Sequence, residues 1–158
     1  MLKADIIKSS IYDIDYEELK EEGIKALIFD LDNTIASYEE DEPSKEAISL
    51  INKLKEDFDV YILSNNWSKR VKPFGNIFKV KAFSMGLKPL THKLKKIQKE
   101  KGYQKSEMLM IGDQLLTDIF GAKRFKIKAI YVHPISKKEP LTTKVNRLLE
   151  KLFKGRAK

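Results

Sequence analysis

Residues 30–34 of this 158-residue chain read Asp-Leu-Asp-Asn-Thr, and the two acids in this segment could carry out chemistry together. They follow an apolar run at 26–29 that is typical of a buried β-strand. Because side chains two positions apart on a strand share a face, Asp30 and Asp32 can reach one point beyond the strand. Two carboxylates held together repel unless a cation lies between them or one stays protonated. Asp-Asn sequences also favour ordinary turns, so residues further along the chain must decide between the two interpretations.

Three further polar segments lie where predicted strands end or predicted helices begin. Ser64 and Asn65 follow a strand, Lys88 precedes a helix, and Asp113 begins a segment that ends at Asp118. In an open α/β sheet such positions converge on one crevice. Helix starts and a lysine suit a phosphate, and a third carboxylate suits a hard cation such as Mg²⁺. Each residue alone could be a helix cap, a surface lysine or a tight turn, but their joint occurrence favours a phosphate site.

Alternating strands and helices must position these residues, and the pattern predicts a mostly parallel α/β sheet with helices on both faces. We expect one domain, 1–158, with a lead-in segment at 1–22 that carries a short helix, and a basic C-terminal helix and tail at 141–158. The strands are predicted at about 25–30, 60–63, 81–83, 108–111 and 129–132. The main helices are predicted at about 44–57, 66–74, 89–102, 115–122 and 141–153, with Pro89 at the first position of the third.

Charge is unevenly distributed along the chain. Residues 1–63 carry 7 Lys and 17 Asp or Glu (net −10), whereas residues 64–158 carry 24 Lys or Arg and 6 acids (net +18). This asymmetry favours an anionic partner, such as a phosphorylated substrate, an acidic lipid or a nucleic acid, although a solvated lysine-rich surface would have the same composition. The absence of cysteine excludes disulfides, thiolate metal sites and a cysteine nucleophile.

No apolar run is long enough for a spanning helix, and the first residues lack the apolar core of a signal peptide. We therefore expect a cytoplasmic protein. Peripheral attachment to the inner face of the membrane stays open, as does the oligomeric state.

As a set, these motifs resemble the haloacid dehalogenase (HAD) superfamily of aspartyl-phosphate phosphatases. The four HAD motifs correspond to residues 30–34, Ser64, Lys88 and residues 112–118. Further segments are similar to the YqeG family of HAD subclass IIIA, which is related to mitochondrial phosphatidylglycerophosphate phosphatases: 23–25, 63–66, 69–71, 88–89, 111–118 and 143–147. The resemblance covers about residues 5–153 and implies a three-layer, Rossmann-like, doubly wound parallel sheet.

The resemblance also implies a catalytic role for the acids. Asp30 would be the nucleophile that forms an aspartyl-phosphate, and Asp32 would be the general acid and then the general base. Mg²⁺ would be held by Asp30, by Asp113 and by the backbone carbonyl of Asp32. Asp118 would orient water at the metal from outside the ligand set.

Four more residues are assigned supporting roles by the resemblance. Ser64, the backbone of Asn65, and Lys88 would bind the oxygens of the transferring phosphoryl group. Thr34 would orient the Asp30 loop through its hydroxyl group.

The spacing of the motifs leaves no room for an inserted cap domain. The stretch from Asp30 to Ser64 holds little more than one helix, and the stretch from Lys88 to Asp113 holds one helix and one strand. A capless site is open, which suits a phosphate on a large body, although another subunit could cover it.

Three functions remain open. The first is a Mg²⁺-dependent phosphomonoester hydrolase of phospholipid biosynthesis that converts phosphatidylglycerophosphate to phosphatidylglycerol. The second is a phosphatase of a soluble ester, such as a sugar or nucleotide phosphate. The third is a nucleic-acid or ribosome-associated binding module, against which the intact set of acids argues.

The last predicted helix has an apolar stripe with a basic surround. Such a stripe most often packs on the sheet of its own protein, but a basic amphipathic helix can also lie on an anionic membrane. The stripe consists of Leu141, Val145, Leu148, Leu149, Leu152 and Phe153, and the basic residues are Lys144, Arg147, Lys151, Lys154, Arg156 and Lys158.

Overall fold

The computed structural model describes the backbone of residues 3–155, which forms a single six-stranded sheet. The strands are β1 (Ile6–Lys8), β2 (Ala26–Phe29), β3 (Asp59–Leu63), β4 (Lys81–Phe83), β5 (Met108–Gly112) and β6 (Lys128–Val132). Their order is β1-β6-β5-β2-β3-β4, and every neighbouring pair is parallel. The predicted α/β fold with a parallel sheet is confirmed.

Helices cover both faces of the sheet. They are α1 (Tyr16–Glu21), α2 (Lys45–Leu54), α3 (Ser68–Phe78), α4 (His92–Lys101), α5 (Phe120–Phe125) and α6 (Leu141–Gly155). On β2, Leu27 and Phe29 belong to one apolar cluster, and Ala26 and Ile28 belong to a second. Because successive side chains of a strand point to opposite faces, the continuous apolar run of β2 marks a strand buried on both sides. The architecture therefore has three layers.

The position of the polar residues follows from the order of the strands. From β2 the chain continues outward through β3 and β4, and then returns to form β5 on the other side of β2. The last residue of β2 pairs with Ile62 and Ile111, so that Asp30, Ser64 and Asp113 leave the sheet close to the same level. A parallel sheet that reverses its strand order here opens a crevice at the carboxyl ends of its strands.

The predicted lead-in segment contains a strand that the sequence pattern does not show. β1 pairs with β6 at the edge of the sheet, with Ile6 opposite Ile130. Three residues are too few to display a period-two pattern, and Ile7 at the centre of β1 is exposed. The predicted short helix after it is present as α1, where Asp15 accepts a hydrogen bond from the N–H of Glu18.

Helix boundaries differ from the predictions near glycine and proline. α3 continues past Gly75, because this glycine lets the helix approach β4: a Cβ there would lie 2.7 Å from the Cβ of Ala82. α4 begins at His92 and not at Pro89, which follows Lys88 through a cis peptide bond. The segment Leu115–Ile119 forms a π-helical turn that precedes α5, so the predicted single helix at 115–122 is wrong.

The C-terminal helix does not bury its apolar stripe. Leu141, Leu148 and Leu152 are 77%, 58% and 59% exposed, whereas Thr143 and Glu150 on another face of α6 are buried. The commoner placement, with the stripe packed on the sheet, is therefore wrong for this chain. The predictions for Arg156 and Lys158, and for the side chains of Phe153 and Lys154, lie outside the described part of the chain.

The connections that could hold a cap domain are short. Within residues 3–155, the chain between β2 and β3 forms α2 with its flanking loops, and the chain between β4 and β5 forms α4 with short turns. The described chain is capless, as predicted. It also contains no helix long and apolar enough to cross a membrane.

Replacing Gly75 by Ala should destabilise the protein by about 1–3 kcal/mol, because the added methyl group overlaps Ala82 on β4 and outweighs the gain in helix propensity. The neighbouring exposed substitution Asn76→Ala, on the same helix, should change the free energy of unfolding by less than about 0.5 kcal/mol. Urea denaturation of both variants measures the difference. Equal midpoints would show that α3 and β4 are not closely packed.

Candidate active site

The carboxylate of Asp30 lies directly beyond β2 and is held by the buried ammonium group of Lys88. Lys88 Nζ lies 2.8 Å from Asp30 Oδ1 and 3.0 Å from the carbonyl oxygen of Leu63, and it also contacts Asp118. The backbone of Lys88 is fixed in turn by Asn65, whose Oδ1 accepts from the N–H of Lys88 at 2.7 Å. These contacts place the ammonium group of Lys88, a residue of the loop before α4, at the end of β2.

The charge of Lys88 is maintained by its partners. Burial alone would lower the pKa of Lys88, but the carboxylates of Asp118 and Asp30 outweigh this effect and raise the pKa above its ordinary value. Lys88 therefore remains a cation, and its ammonium group can attract a phosphate in the cleft.

Asp113 extends the group of acids from the end of β5. It is fully buried, and its Oδ1 accepts a hydrogen bond of 3.1 Å from the hydroxyl of Thr34. The same hydroxyl lies 3.5 Å from Asp30 Oδ2, so that Thr34 bridges the two acids. An orienting role for Thr34, which the family resemblance implies, stays a prediction.

Three carboxylates come close enough together to hold a metal ion. Single oxygens of Asp30, Asp113 and Asp118 lie within 4.8 Å of one another. Burial, reinforced by the neighbouring carboxylates, raises the pKa of Asp113 well above its usual range and that of Asp118 to about 7. Such shifts indicate negative charge that the protein does not fully compensate. A hard divalent cation with a preference for oxygen ligands fits this donor set.

A charge count supports the same conclusion. The acids Asp30, Asp32, Asp113 and Asp118 contact three cations, Lys88, Arg70 and Arg147. The four acids therefore exceed the three cations by one negative charge, and the excess becomes two when Glu139, which shares Arg147 with Asp113, is included. A bound cation would reduce the excess.

The carboxylate of Asp32 does not belong to the close group formed by Asp30, Asp113 and Asp118. It accepts hydrogen bonds of 3.0 Å from Asn66 Nδ2 and from Arg70 Nε. Burial raises the pKa of Asp32, and the charge of Asp30 adds to this effect, while Asn66 and Arg70 act in the opposite direction. Asp32 therefore has different partners from Asp30, and different surroundings are what allow two neighbouring carboxyl groups to take different protonation states.

Arg70 is a site residue that the sequence reasoning missed. Besides Asp32, its guanidinium contacts the carbonyl oxygens of Ser37 and Glu40 in the loop after β2. Arg70 lies in segment 69–71, which is similar to the YqeG family, and that similarity was the available signal.

Asn33 is a second missed residue. It has a left-handed backbone (φ of 61°), which asparagine tolerates better than most residues. Its amide nitrogen donates to the carbonyl of Ser136 at 3.0 Å, and its amide oxygen accepts from the N–H of Ser136 at 3.3 Å. Asn33 thus connects the loop of the two acids to the segment that leads into α6.

A cleft of about 420 Å³ opens above these groups. The predicted residues that line it are Asp30, Asp32, Ser64, Asn65 and Lys88, whereas Thr34, Asp113 and Asp118 are buried beside it. Ser64 Oγ accepts a hydrogen bond of 3.1 Å from the N–H of Asn66, and a hydroxyl in this position can still donate its proton to a phosphate oxygen. The structure therefore brings the complete predicted set together.

The walls of the cleft include residues that were not predicted. Trp67, which is 70% exposed, lies on one side, and residues of α6 and the preceding turn lie on another. The additional lining residues are Tyr38, Asn66, Gln114, Thr117, Pro140, Thr143 and Asn146. The site is capless, but the C-terminal helix covers part of it.

The chain is similar to known phosphatases over most of its length. Residues 3–136 match the family described as mitochondrial PGP phosphatase. The chain is 31% identical over 148 residues to the probable phosphatase YqeG of Bacillus subtilis (strain 168), an alignment that covers 93% of this chain and 86% of that protein. It is 30% identical over 154 residues to phosphatidylglycerophosphate phosphatase 1, chloroplastic/mitochondrial, of Arabidopsis thaliana. That alignment covers 87% of this chain but only 42% of the longer plant protein.

A solved structure shows the same fold. A predicted HAD-like family hydrolase from Porphyromonas gingivalis superposes with a TM-score of 0.60 at 14% sequence identity, covering 80% of this chain and 98% of that one. The resemblance drawn from the motifs is thus confirmed. The chain belongs to the mitochondrial PGP phosphatase family, and it is a phosphatase, a phosphoric monoester hydrolase, with a HAD-like fold.

Proposed function

We propose that this phosphatase hydrolyses phosphatidylglycerophosphate to phosphatidylglycerol and inorganic phosphate, in a Mg²⁺-dependent reaction through an aspartyl-phosphate. The observation that carries the chemistry is the carboxylate of Asp30, held by Lys88 at the base of an open cleft with Asp32 beside it. The substrate is inferred from the family match and from the activity for which the plant relative is named.

In the first step, a carboxylate oxygen of Asp30 attacks phosphorus and the bond between phosphorus and the ester oxygen breaks. Asp32 gives its proton to the departing alkoxide, which leaves as an alcohol. Asn66 and Arg70 keep the Asp32 carboxyl group at the cleft wall, so that it reaches the leaving group and not the nucleophile.

In the second step, Asp32 takes a proton from water as the water attacks phosphorus of the aspartyl-phosphate. The bond between Asp30 and phosphorus breaks, which releases phosphate and restores the carboxylate. In both steps Ser64, the backbone of Asn65, and Lys88 stabilise the negative charge on the phosphoryl oxygens.

Mg²⁺ would be held by Asp30, by Asp113 and by the backbone carbonyl of Asp32, with Asp118 supporting them from the same buried cluster. When bound, the cation offsets the charge of the nucleophile and of the phosphate, so that the two anions can approach each other. Only the fit of the carboxylates to a divalent cation supports this part of the proposal.

The substrate would be reached at the surface of an anionic membrane, and α6 is the surface proposed for peripheral contact. Its exposed side chains Leu141, Val145, Leu148 and Leu152 recur at helical spacing. Lys144 and Lys151 are exposed on the same helix and have no ion-pair partner within the described residues. If a second copy of the chain packed on this face through its own α6, the lysines of the two helices would repel each other. An anionic lipid surface would instead attract them.

The energies are adequate for reversible binding. Full burial of a leucine contributes about 1.5–3 kcal/mol, and a lysine near an anionic surface contributes about 1 kcal/mol. Four partly exposed apolar side chains and two lysines can therefore support peripheral attachment without a spanning segment.

Asp30→Asn should abolish phosphate release, because the amide is not a nucleophile, and Asp32→Ala should lower turnover by about 10²–10⁴-fold through loss of the proton donor. The measurement is phosphate release from phosphatidylglycerophosphate in mixed micelles, beside a panel of sugar and nucleotide phosphates, with and without chelation of Mg²⁺. Circular dichroism of each variant checks that it is folded.

The outcomes separate the candidate functions. Chelation should stop the reaction, and the lipid should be strongly preferred. Release from soluble esters alone would keep the chemistry and reject the lipid. Activity in Asp30→Asn equal to that of the unchanged protein would reject the nucleophile, and release from no ester by a folded protein would favour a binding module.

The double substitution Leu148→Ser and Leu152→Ser should weaken binding to phosphatidylglycerol-containing vesicles at least about tenfold, because two apolar side chains no longer enter the lipid. Co-sedimentation with these vesicles, and with neutral phosphatidylcholine vesicles, measures the effect. Ile7→Ser, which changes a side chain of similar exposure on β1, is the matched control and should bind as the unchanged protein does. If binding does not change with the α6 substitutions, or is equal for anionic and neutral vesicles, α6 is not the membrane-contacting surface.

A further inference from the structure

The polar face of α6 contacts the active site at three points along the helix. The hydroxyl of Thr143 lies 3.1 Å from the hydroxyl of Tyr38, Arg147 contacts Asp113, and Glu150 accepts a hydrogen bond of 3.1 Å from the N–H of Leu116. Positions 143, 147 and 150 are spaced i, i+4 and i+7, so they lie on one side of the helix. α6 therefore spans the cleft from the loop after β2 to the segment after β5.

Arg147 makes the most specific of these contacts. Its Nη1 donates to the carbonyl oxygen of Asp113 at 2.8 Å, and its Nη2 contacts Asp113 Oδ2. Its Nε contacts Glu139, which precedes α6. A single guanidinium thus holds both the main chain and the side chain of Asp113, and a carboxylate holds the guanidinium in place.

We propose that Arg147 is a positioning residue of the active site, which fixes the carboxylate of Asp113 in the orientation needed to bind the divalent cation. The role of the cation rests on the proposed function. The positioning of Asp113 rests on the contacts of Arg147 alone. By this assignment α6 is part of the catalytic site and not only a surface helix.

The surroundings of Asp113 show why an external support is needed. β5 ends at Gly112, so the sheet no longer fixes the backbone at the following residue. Thr34 donates a hydrogen bond to Oδ1 of Asp113, and Arg147 contacts Oδ2. Both carboxylate oxygens therefore have a partner that orients them. A carboxylate has about four lone-pair positions on its two oxygens, so these two contacts set its direction and leave positions for a metal.

The choice of arginine is informative. Its planar fork can contact a carbonyl oxygen and a carboxylate oxygen of the same residue while Nε holds a third partner. A lysine at this position would keep the positive charge, but it could not contact these three partners with the planar set of donors that arginine has. Arg147→Lys is therefore the decisive variant, because complete removal of the charge would by itself make the site more attractive to a cation.

The first test is the binding of Mn²⁺, as a probe for the divalent cation, to the full chain, followed by electron paramagnetic resonance of the free ion. Arg147→Lys should bind Mn²⁺ about tenfold or more weakly than the unchanged protein, as is usual when a group that orients a ligand is altered. Thr143→Val removes another α6 contact that does not involve Asp113, and it should leave the Mn²⁺ affinity unchanged. Equal affinity of Arg147→Lys and the unchanged protein would overturn the proposal.

A second measurement does not depend on the metal. Without added metal, amide hydrogen exchange over residues 113–118 should be faster in Arg147→Lys than in Thr143→Val, with unchanged exchange in β2. If the unchanged protein binds no Mn²⁺, the proposed metal dependence fails, and the exchange rates still decide the role of Arg147. Unchanged exchange in this segment would overturn the positioning role.

Discussion

The site depends on burying several carboxylates at one point between β2 and β5, and this is possible only because Lys88 is buried with them. Its ammonium group joins Asp30 and Asp118 and also donates to a carbonyl of β3. Removing one partner of a buried ion pair typically costs about 3–5 kcal/mol, because the remaining charge stays away from water. The side chain of Asn65 holds the loop that carries Lys88, by hydrogen bonds to both the N–H and the carbonyl oxygen of Lys88.

The acids and the cations come from different parts of the fold. The acids follow β2 and β5 in the middle of the sheet, whereas Lys88 precedes α4, Arg70 lies on α3 and Arg147 lies on α6. The catalytic arrangement is complete only when helices that follow three different strands have packed onto the sheet. Residual negative charge in the cluster then favours a divalent cation over a fourth basic side chain, which would fill the space needed for phosphate.

Sequence reasoning found the acids because their positions depend on local structure. Asp30 and Asp113 directly follow buried apolar strands, and both the strand signal and the turn signal lie within a few residues. Arg70 and Arg147 could not be found in this way. Each is one basic residue among many on an amphipathic helix, and only the packing of that helix shows which carboxylate it meets.

The errors in the fold have similar causes. Gly75 was interpreted as the end of a helix, but a glycine also permits close approach of two elements, and here it lies against β4. The three residues of β1 gain their strand structure from pairing with β6 and not from their own pattern. For α6, the amphipathic pattern predicted an apolar face and a polar face, but it did not show which face packs against the rest of the protein.

The orientation of α6 follows from the energies of its two faces. Had the apolar stripe packed on the sheet, Arg147 and Glu150 would have turned from Asp113 and Leu116, leaving buried charge and a buried N–H without partners. The polar face is held at the site, and the apolar face must then remain outside.

Trp67 is exposed at the cleft, so the phosphate would bind at the base of an open site whose mostly polar lining includes one large exposed apolar side chain. In such a site the catalytic groups contact only the phosphate. The rest of the substrate is therefore selected by the surface around the opening. Trp67 can contact a long apolar substituent on the phosphate, and its indole ring can equally stack on a nucleobase, so this side chain alone does not select a lipid. The preference for a lipid over a soluble ester therefore depends on the exposed stripe of α6, which lies outside the cleft lining and favours contact with a membrane surface.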